Sequence, residues 1–156
     1  MSLEKAKKGL EAFGLSDRIK LFDVSSATVA LAAQALGVEE GRIAKTLSYS
    51  VFNKPVLVVM RGDARVDNRK FKDQFGTKAK MLTPEEAEAL IGHAVGGVCP
   101  FGINSGVDVY IDNSVKAFDI VYPAAGTSSS AVELTVDELF RASGAISFVD
   151  IAKDAE

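Results

Sequence analysis

Residues 45–61 read Lys-Thr-Leu-Ser-Tyr-Ser-Val-Phe-Asn-Lys-Pro-Val-Leu-Val-Val-Met-Arg. Residues 45–52 and 55–61 are β-rich runs, and Asn53-Lys54 between them suits a tight turn, so the stretch predicts a hairpin. Toward the N-terminus, Leu3, Ala6, Leu10 and Phe13 recur at helical spacing and Gly14 supplies a stop. Residues 18–24 suit a short strand. Ser26 is placed to cap a helix over residues 27–36, which Gly37 ends. Toward the C-terminus, Asp67 opens a helix that carries Phe71 and Phe75 and ends at Gly76, followed by a short strand over residues 78–82. Thr83, Pro84 and Glu86 form a helix start with a capping box, and that helix stops at Gly92. Residues 107–112, 118–122, 131–134 and 146–151 suit further strands. Thr135 and Glu138 open one more helix, to about Ala142. Strands outnumber helices and follow one another without regular alternation. The predicted class is therefore α+β, a mixed, mostly antiparallel sheet surrounded by helices.

Hydrophobic residues make up 47% of the 156-residue chain and charged residues 25%, a balance that supports a packed core. No repeat, low-complexity segment or linker divides it, and the length suits one domain over residues 1–156. The longest apolar runs, residues 55–60 and 27–33, fall far short of the roughly 20 residues that span a bilayer. The first ten residues hold no apolar signal core, so neither export nor a membrane partner is expected. The single cysteine, Cys99, has no partner for an internal disulfide, which fits a cytoplasmic location. The net charge of −3 argues mildly against nucleic acid, yet residues 61–80 carry seven cations against three carboxylates. Arg61, Arg65, Arg69, Lys70 and Lys72 within that stretch are candidate phosphate contacts. The same run also suits a solvated helix face.

Most familiar enzyme constellations are absent. With one histidine, His93, and one cysteine, no zinc set forms without several carboxylates, and neither metal nor cofactor is expected. There is no phosphate loop, dinucleotide fingerprint or Gly-x-Ser-x-Gly elbow. A Cys99–His93 nucleophile pair is conceivable, but a lone cysteine more often serves as a small buried hydrophobe. What stands out is Val95-Gly96-Gly97-Val98-Cys99-Pro100-Phe101-Gly102, with three glycines and a proline in eight residues. Such a turn can direct backbone N–H groups at a carbonyl oxygen that gains charge; it also suits a plain connection between helix and strand. A second small-residue loop, Gly126-Thr127-Ser128-Ser129-Ser130, offers hydroxyls and amides to a sugar or phosphate, or simply links two strands. Lys45 opens a strand, where a lysine is ordinarily solvated.

Taken together, these pieces resemble the YbaK-like family, also called the prolyl-tRNA synthetase-associated domain family. The matching stretches are Gly37-Val38 through Ile43-Ala44-Lys45-Thr46-Leu47, then Val58-Val59-Met60-Arg61-Gly62-Asp63, then residues 95–102, then Phe118-Asp119, then Ala125-Gly126-Thr127-Ser128-Ser129. They cover about residues 20–152. The lysine before Thr-Leu and the Gly-x-x-x-Pro turn from Gly96 to Pro100 are the more specific pair. The resemblance implies an antiparallel sheet with a pocket between the lysine strand and the glycine turn. It implies a free-standing hydrolase that removes Ala-, Cys-, Ser- or Thr-type amino acids from wrongly charged tRNA. The implied partner is the acceptor end of aminoacyl-tRNA, with prolyl-tRNA synthetase or an elongation factor as candidate companions.

On that reading no protein nucleophile is required, because an aminoacyl ester is already activated. Water attacks while the backbone at Gly96, Gly97, Val98, Cys99, Pro100 and Phe101 holds the oxyanion. Lys45 places the terminal nucleotide or steadies developing charge, and Gly126, Thr127, Ser128 and Ser129 hold the tRNA end. Val29, Leu47, Val98 and Phe101 are candidate pocket walls, and Asp63 and Asp112 candidate polar partners. Two rival readings stay open: a non-catalytic tRNA- or synthetase-binding module of the same fold, and a small esterase that uses Cys99.

Overall fold

The structure is a computed structural model that describes residues 2–22, 28–94 and 97–154. The hairpin at 45–61 is its centre. Strand β2 (Ile43–Val51) pairs antiparallel with β3 (Lys54–Arg61) along its whole length, with Lys45 opposite Met60 and Val51 opposite Lys54. The turn is Phe52-Asn53 rather than Asn53-Lys54. Both residues hold positive φ, 49° and 65°, which is the twist a two-residue hairpin demands. Residues 56–60 of β3 are at most 3% exposed. A strand covered on both faces has no polar side to show, which is why this run lacks alternation.

The sheet builds outward from that pair. Strands β5 (Asp108–Asp112), β6 (Ile120–Pro123), β8 (Leu134–Thr135) and β9 (Ser147–Val149) complete a six-stranded order β8-β6-β2-β3-β5-β9. Two ribbons flank it: β1 (Ile19–Leu21) with β7 (Ser130–Val132), and β4 (Ala64–Val66) with β10 (Ala152–Asp154). Both ribbons, the hairpin and the β6–β8 pair are antiparallel, while β6–β2, β3–β5 and β5–β9 are parallel, so the sheet is mixed as expected.

Among the described residues, five α-helices cover it. Helices α1 (Ser2–Glu11) and α5 (Val136–Ser143) pack on one face through Ala6, Leu10, Leu139 and Ala142, against Val59 and Ile111. Helix α4 (Pro84–Leu90) joins that side, with Ala87 and Ile91 against Leu57 and Val109. Helix α3 (Asn68–Phe75) covers the other face, where Phe71 meets Tyr49, Val58 and Met60. Helix α2 (Val29–Leu36) packs at the start of β2 against Ile43 and Tyr122.

Both capping boxes form as read. The Thr83 and Thr135 hydroxyls accept the N–H of Glu86 and Glu138, and the two carboxylates accept the cap N–H in return. Asp67 and Gly76 bound α3 as expected. Elsewhere the elements differ. Thr28 caps α2, while the expected cap Ser26 lies outside the described residues. Residues 78–82 form a single bridge, Met81 to Tyr49, in place of a strand. Phe13 lies beyond α1 and is 47% exposed. The run 131–134 divides between β7 and β8. The run 146–151 ends early because the buried Asp112 carboxylate takes the N–H groups of Ile151 (2.7 Å) and Ala152 (3.1 Å). That bends the chain from β9 into the separate ribbon strand β10.

Helix α1 lies against two loops at backbone distance. A Cβ on Gly102 would stand 1.8 Å from the Lys5 carbonyl oxygen, at φ +60°. Gly14 has φ +72° but nothing within 4 Å. We therefore expect Gly102→Ala to cost at least ~2 kcal/mol of stability in a urea titration, and Gly14→Ala about 1 kcal/mol or less.

Candidate active site

Strand β6 pairs with β2 only at Ile43 and Ala44, and the next contact on that edge is the bridge at Tyr49. Between them the edge is uncovered, and a cleft of about 390 Å³ opens there. Its floor is Ala44, Lys45, Thr46 and Ser48 of β2. Val29 and Ala32 of α2 form one wall, and Leu82, Pro84 and Ala87 at the start of α4 another. Val98 of the glycine turn, Tyr122 of β6 and Ala124 just after it, and Thr127 and Ser130 of the small-residue loop complete it. Lys45, the turn and the loop, far apart in sequence, therefore share one cavity.

Backbone contact joins the turn to the loop. A Cβ on Gly97 would lie 2.4 Å from the Gly126 carbonyl oxygen, so only glycine permits the approach. Gly96 lies outside the described residues. The loop is ordered by its last serine. The Ser130 hydroxyl accepts the N–H groups of Ala125 (3.2 Å) and Thr127 (3.3 Å) and donates to the Thr127 carbonyl (3.0 Å). Thr127 Oγ1 accepts the Ser129 N–H at 3.3 Å. Gly126 and Thr127 are thus fixed against the turn.

Lys45 is half-buried at the rim and donates from Nζ to the Ala64 carbonyl of β4 at 2.5 Å. Burial is the main cause that lowers its pKa below the ordinary lysine value; Asp63 opposes the shift and Arg65 adds to it. Asp63 is clamped by the Arg61 guanidinium, which bonds both carboxylate oxygens, and this holds its carboxyl below the usual range. Arg61 also lies over the Phe118 ring at 4.9 Å, with Arg42 over the same ring at 4.8 Å. Arg61 is therefore committed to the protein.

The other basic candidates divide. Lys70 ties α3 to the end of the chain through Asp150 (3.1 Å) and the Ala152 carbonyl (3.0 Å). Arg65, Arg69 and Lys72 are exposed and form no ion pair among the described residues. Lys153, which the sequence reading passed over, sits directly across the ribbon from Arg65. Like charges so placed repel unless an anion joins them.

Leu47 does not line the cleft; it packs with the cluster around Tyr49 and Phe71 on the opposite face. Thr46, one residue earlier, is on the cleft side, and its Oγ1 is buried with no hydrogen-bond partner among the described residues. Phe101 and Cys99 are fully buried. The Cys99 thiol is 3.5 Å from His93 Nε2, but burial pushes its pKa up to about 12, and His93 is equally enclosed. A protonated thiol without solvent access is no nucleophile, so the turn does not offer sulfur chemistry. Thr46, Ser48 and Tyr122 were not singled out from the sequence, because nothing local marks a strand residue as the lining of a cleft.

Comparisons with known proteins show the family and the fold. The aminoacyl-tRNA editing domain family matches residues 24–142. The uncharacterized protein YwhH of Bacillus subtilis (strain 168) is 42% identical over the full length of both chains. EbsC of Enterococcus faecalis, named as a candidate Cys-tRNA(Pro)/Cys-tRNA(Cys) deacylase, is 32% identical over 69% of this chain and 66% of its own. A crystal structure described as a candidate trans-editing enzyme for prolyl tRNA synthetase superposes with a TM-score of 0.89, at 31% identity and 97% coverage of both chains.

Two outcomes are expected from the buried pair. Cys99 should resist alkylation by iodoacetamide at pH 8 in the folded protein and react fully in denaturant. Burial also lowers the His93 pKa from its ordinary 6.5. As pH falls through about 6.5 the unfolded chain takes up the proton first, so stability should decline by up to about 1.4 kcal/mol per pH unit until folded His93 titrates. Urea titrations between pH 7.5 and 5 should show that slope, and His93→Gln should remove it.

Proposed function

The chain belongs to the aminoacyl-tRNA editing domain family, and from that premise we propose that it is a trans-acting deacylase of mischarged tRNA. The observation that carries the proposal is the convergence of Lys45, Val98 and Thr127 on one cleft. The carbonyl of the aminoacyl ester lies against the turn, whose backbone amides take the oxyanion. Water adds to that carbonyl, the bond to the ribose oxygen breaks, and free amino acid and tRNA with an intact hydroxyl leave. The proton lost by water passes to the ribose oxygen, relayed by the substrate's own α-amino or hydroxyl group.

In this reading Lys45 is a positioner. Its ammonium is already spent on a carbonyl, Ala64, which suits a fixed positive charge better than a base. The loop at Gly126, Thr127, Ser128 and Ser129 receives the terminal nucleotide. The walls of Val29, Ala32 and Val98 with the Ser48 hydroxyl suit Ala, Cys, Ser or Thr. Arg65, Arg69 and Lys72, with Lys153, supply the exposed positive face for acceptor-stem phosphates. A prolyl-tRNA synthetase or elongation factor is the natural source of such a substrate.

The test is loss of label from Ala-, Cys-, Ser-, Thr- and Pro-tRNA. Hydrolysis of at least one small non-prolyl ester is expected, with Lys45→Ala slower by about 100-fold and still folded. Arg65→Glu with Arg69→Glu should raise KM, most at low salt, and leave kcat within about threefold. No hydrolysis of any ester, with tRNA binding retained, would replace the proposal with a non-catalytic binding module.

A further inference from the structure

His93 is the single histidine of the chain and is fully buried just beyond α4. Its Nε2 lies 2.8 Å from the Phe101 carbonyl oxygen. A carbonyl only accepts, so Nε2 carries the proton and Nδ1 does not. Nδ1 is buried with no partner among the described residues. Its neighbours do not supply a charge role. Lys5 of α1 acts on the imidazole only to keep it neutral, and the Cys99 thiol beside it is protonated.

What the imidazole does hold is the far end of the glycine turn. Gly97 fixes one end by contact with Gly126. The other end contains Pro100, which has no N–H of its own to anchor it. The Phe101 carbonyl, one residue on, is held by His93 Nε2, and Cys99 Sγ donates weakly to the same oxygen at 3.7 Å. The segment between, which includes the cleft residue Val98, is therefore fastened at both ends. Oxyanion donors work only when they are held in place before the charge develops.

We propose that His93 is the positioning residue of this site: its Nε2–H, through the Phe101 carbonyl, holds the turn of residues 97–101 in register for ester hydrolysis. The proposal rests on the deacylase reading, and its test separates the two. His93→Gln keeps an N–H donor near the Nε2 position and His93→Leu removes it. With whichever aminoacyl-tRNA the wild type hydrolyses, the glutamine variant should keep kcat within about threefold. The leucine variant should lose tenfold or more in kcat, with KM changed less than threefold. Amide hydrogen exchange at Val98, Cys99 and Phe101 should quicken in the leucine variant alone. Wild-type kcat in His93→Leu, or equal impairment in both variants with unchanged exchange, would overturn the proposal. If the wild type hydrolyses no ester, the deacylase reading fails, and exchange by itself decides whether His93 fastens the turn. Should His93→Leu not fold, the ¹⁵N spectrum of the wild-type imidazole decides: a protonated Nε2 that His93→Gln replaces without loss of turn protection supports the role, and a protonated Nδ1 ends it.

Discussion

The site stands on contacts between backbones with no side chain between them. Gly97 rests on Gly126, Gly126 on Ser2, Gly102 on Lys5, and Gly9 on Gly102. In each case a methyl group would lie 2.5 Å or less from a backbone atom. Real Cβ atoms do not approach that closely, so any side chain there would force the segments apart. The turn, the loop and α1 are thereby locked into one assembly, set over the floor that strand β2 gives the cleft. Side chains then furnish this frame and do not create it.

Much of the fold was legible where the physics is local. A capping box is complete within four residues, so Thr83-Glu86 and Thr135-Glu138 could be read from the chain and found intact. The hairpin declared itself through two β-rich runs, although the turn moved back to Phe52-Asn53, because phenylalanine is an unusual occupant of a positive-φ position. Ends that depend on distant partners were not legible. The last strand breaks because of Asp112, some forty residues earlier, and residues 78–82 meet β2 through a single bridge, with two backbone hydrogen bonds to Ser48 and Ser50. For the site, order along the chain singled out Lys45, the turn and the loop, which meet at the cleft. It misplaced Leu47, which packs with Tyr49 and Phe71, while Thr46 and Ser48 of the opposite strand face line the cleft. Lys45 shares the strand face of Leu47 and borders the cleft at its edge, with its ammonium on the Ala64 carbonyl.

The polar groups around the cleft show how little conventional chemistry the site contains. The histidine and the cysteine are sealed in the core, and the guanidinium of Arg61 is shared between Asp63 and the Phe118 ring. What lines the cavity is a lysine, several hydroxyl-bearing residues and small apolar side chains. Such a set suits a substrate whose bond is already activated and which needs chiefly to be held.

Helix α1 carries a consequence for how the molecule is made. It touches Gly102 through Lys5 and Gly126 through Ser2, contacts that close loops of roughly a hundred residues. Contacts of that span form slowly, since the entropy of closure is lost before any packing is gained. The hairpin and the capped helices can arise early from their own neighbourhoods, whereas the cleft waits for both halves of the chain to meet. Folding speed and site assembly are therefore separable in this protein. An alteration in α1 that leaves every residue of the cleft untouched would act on the last step by which the cleft comes into being.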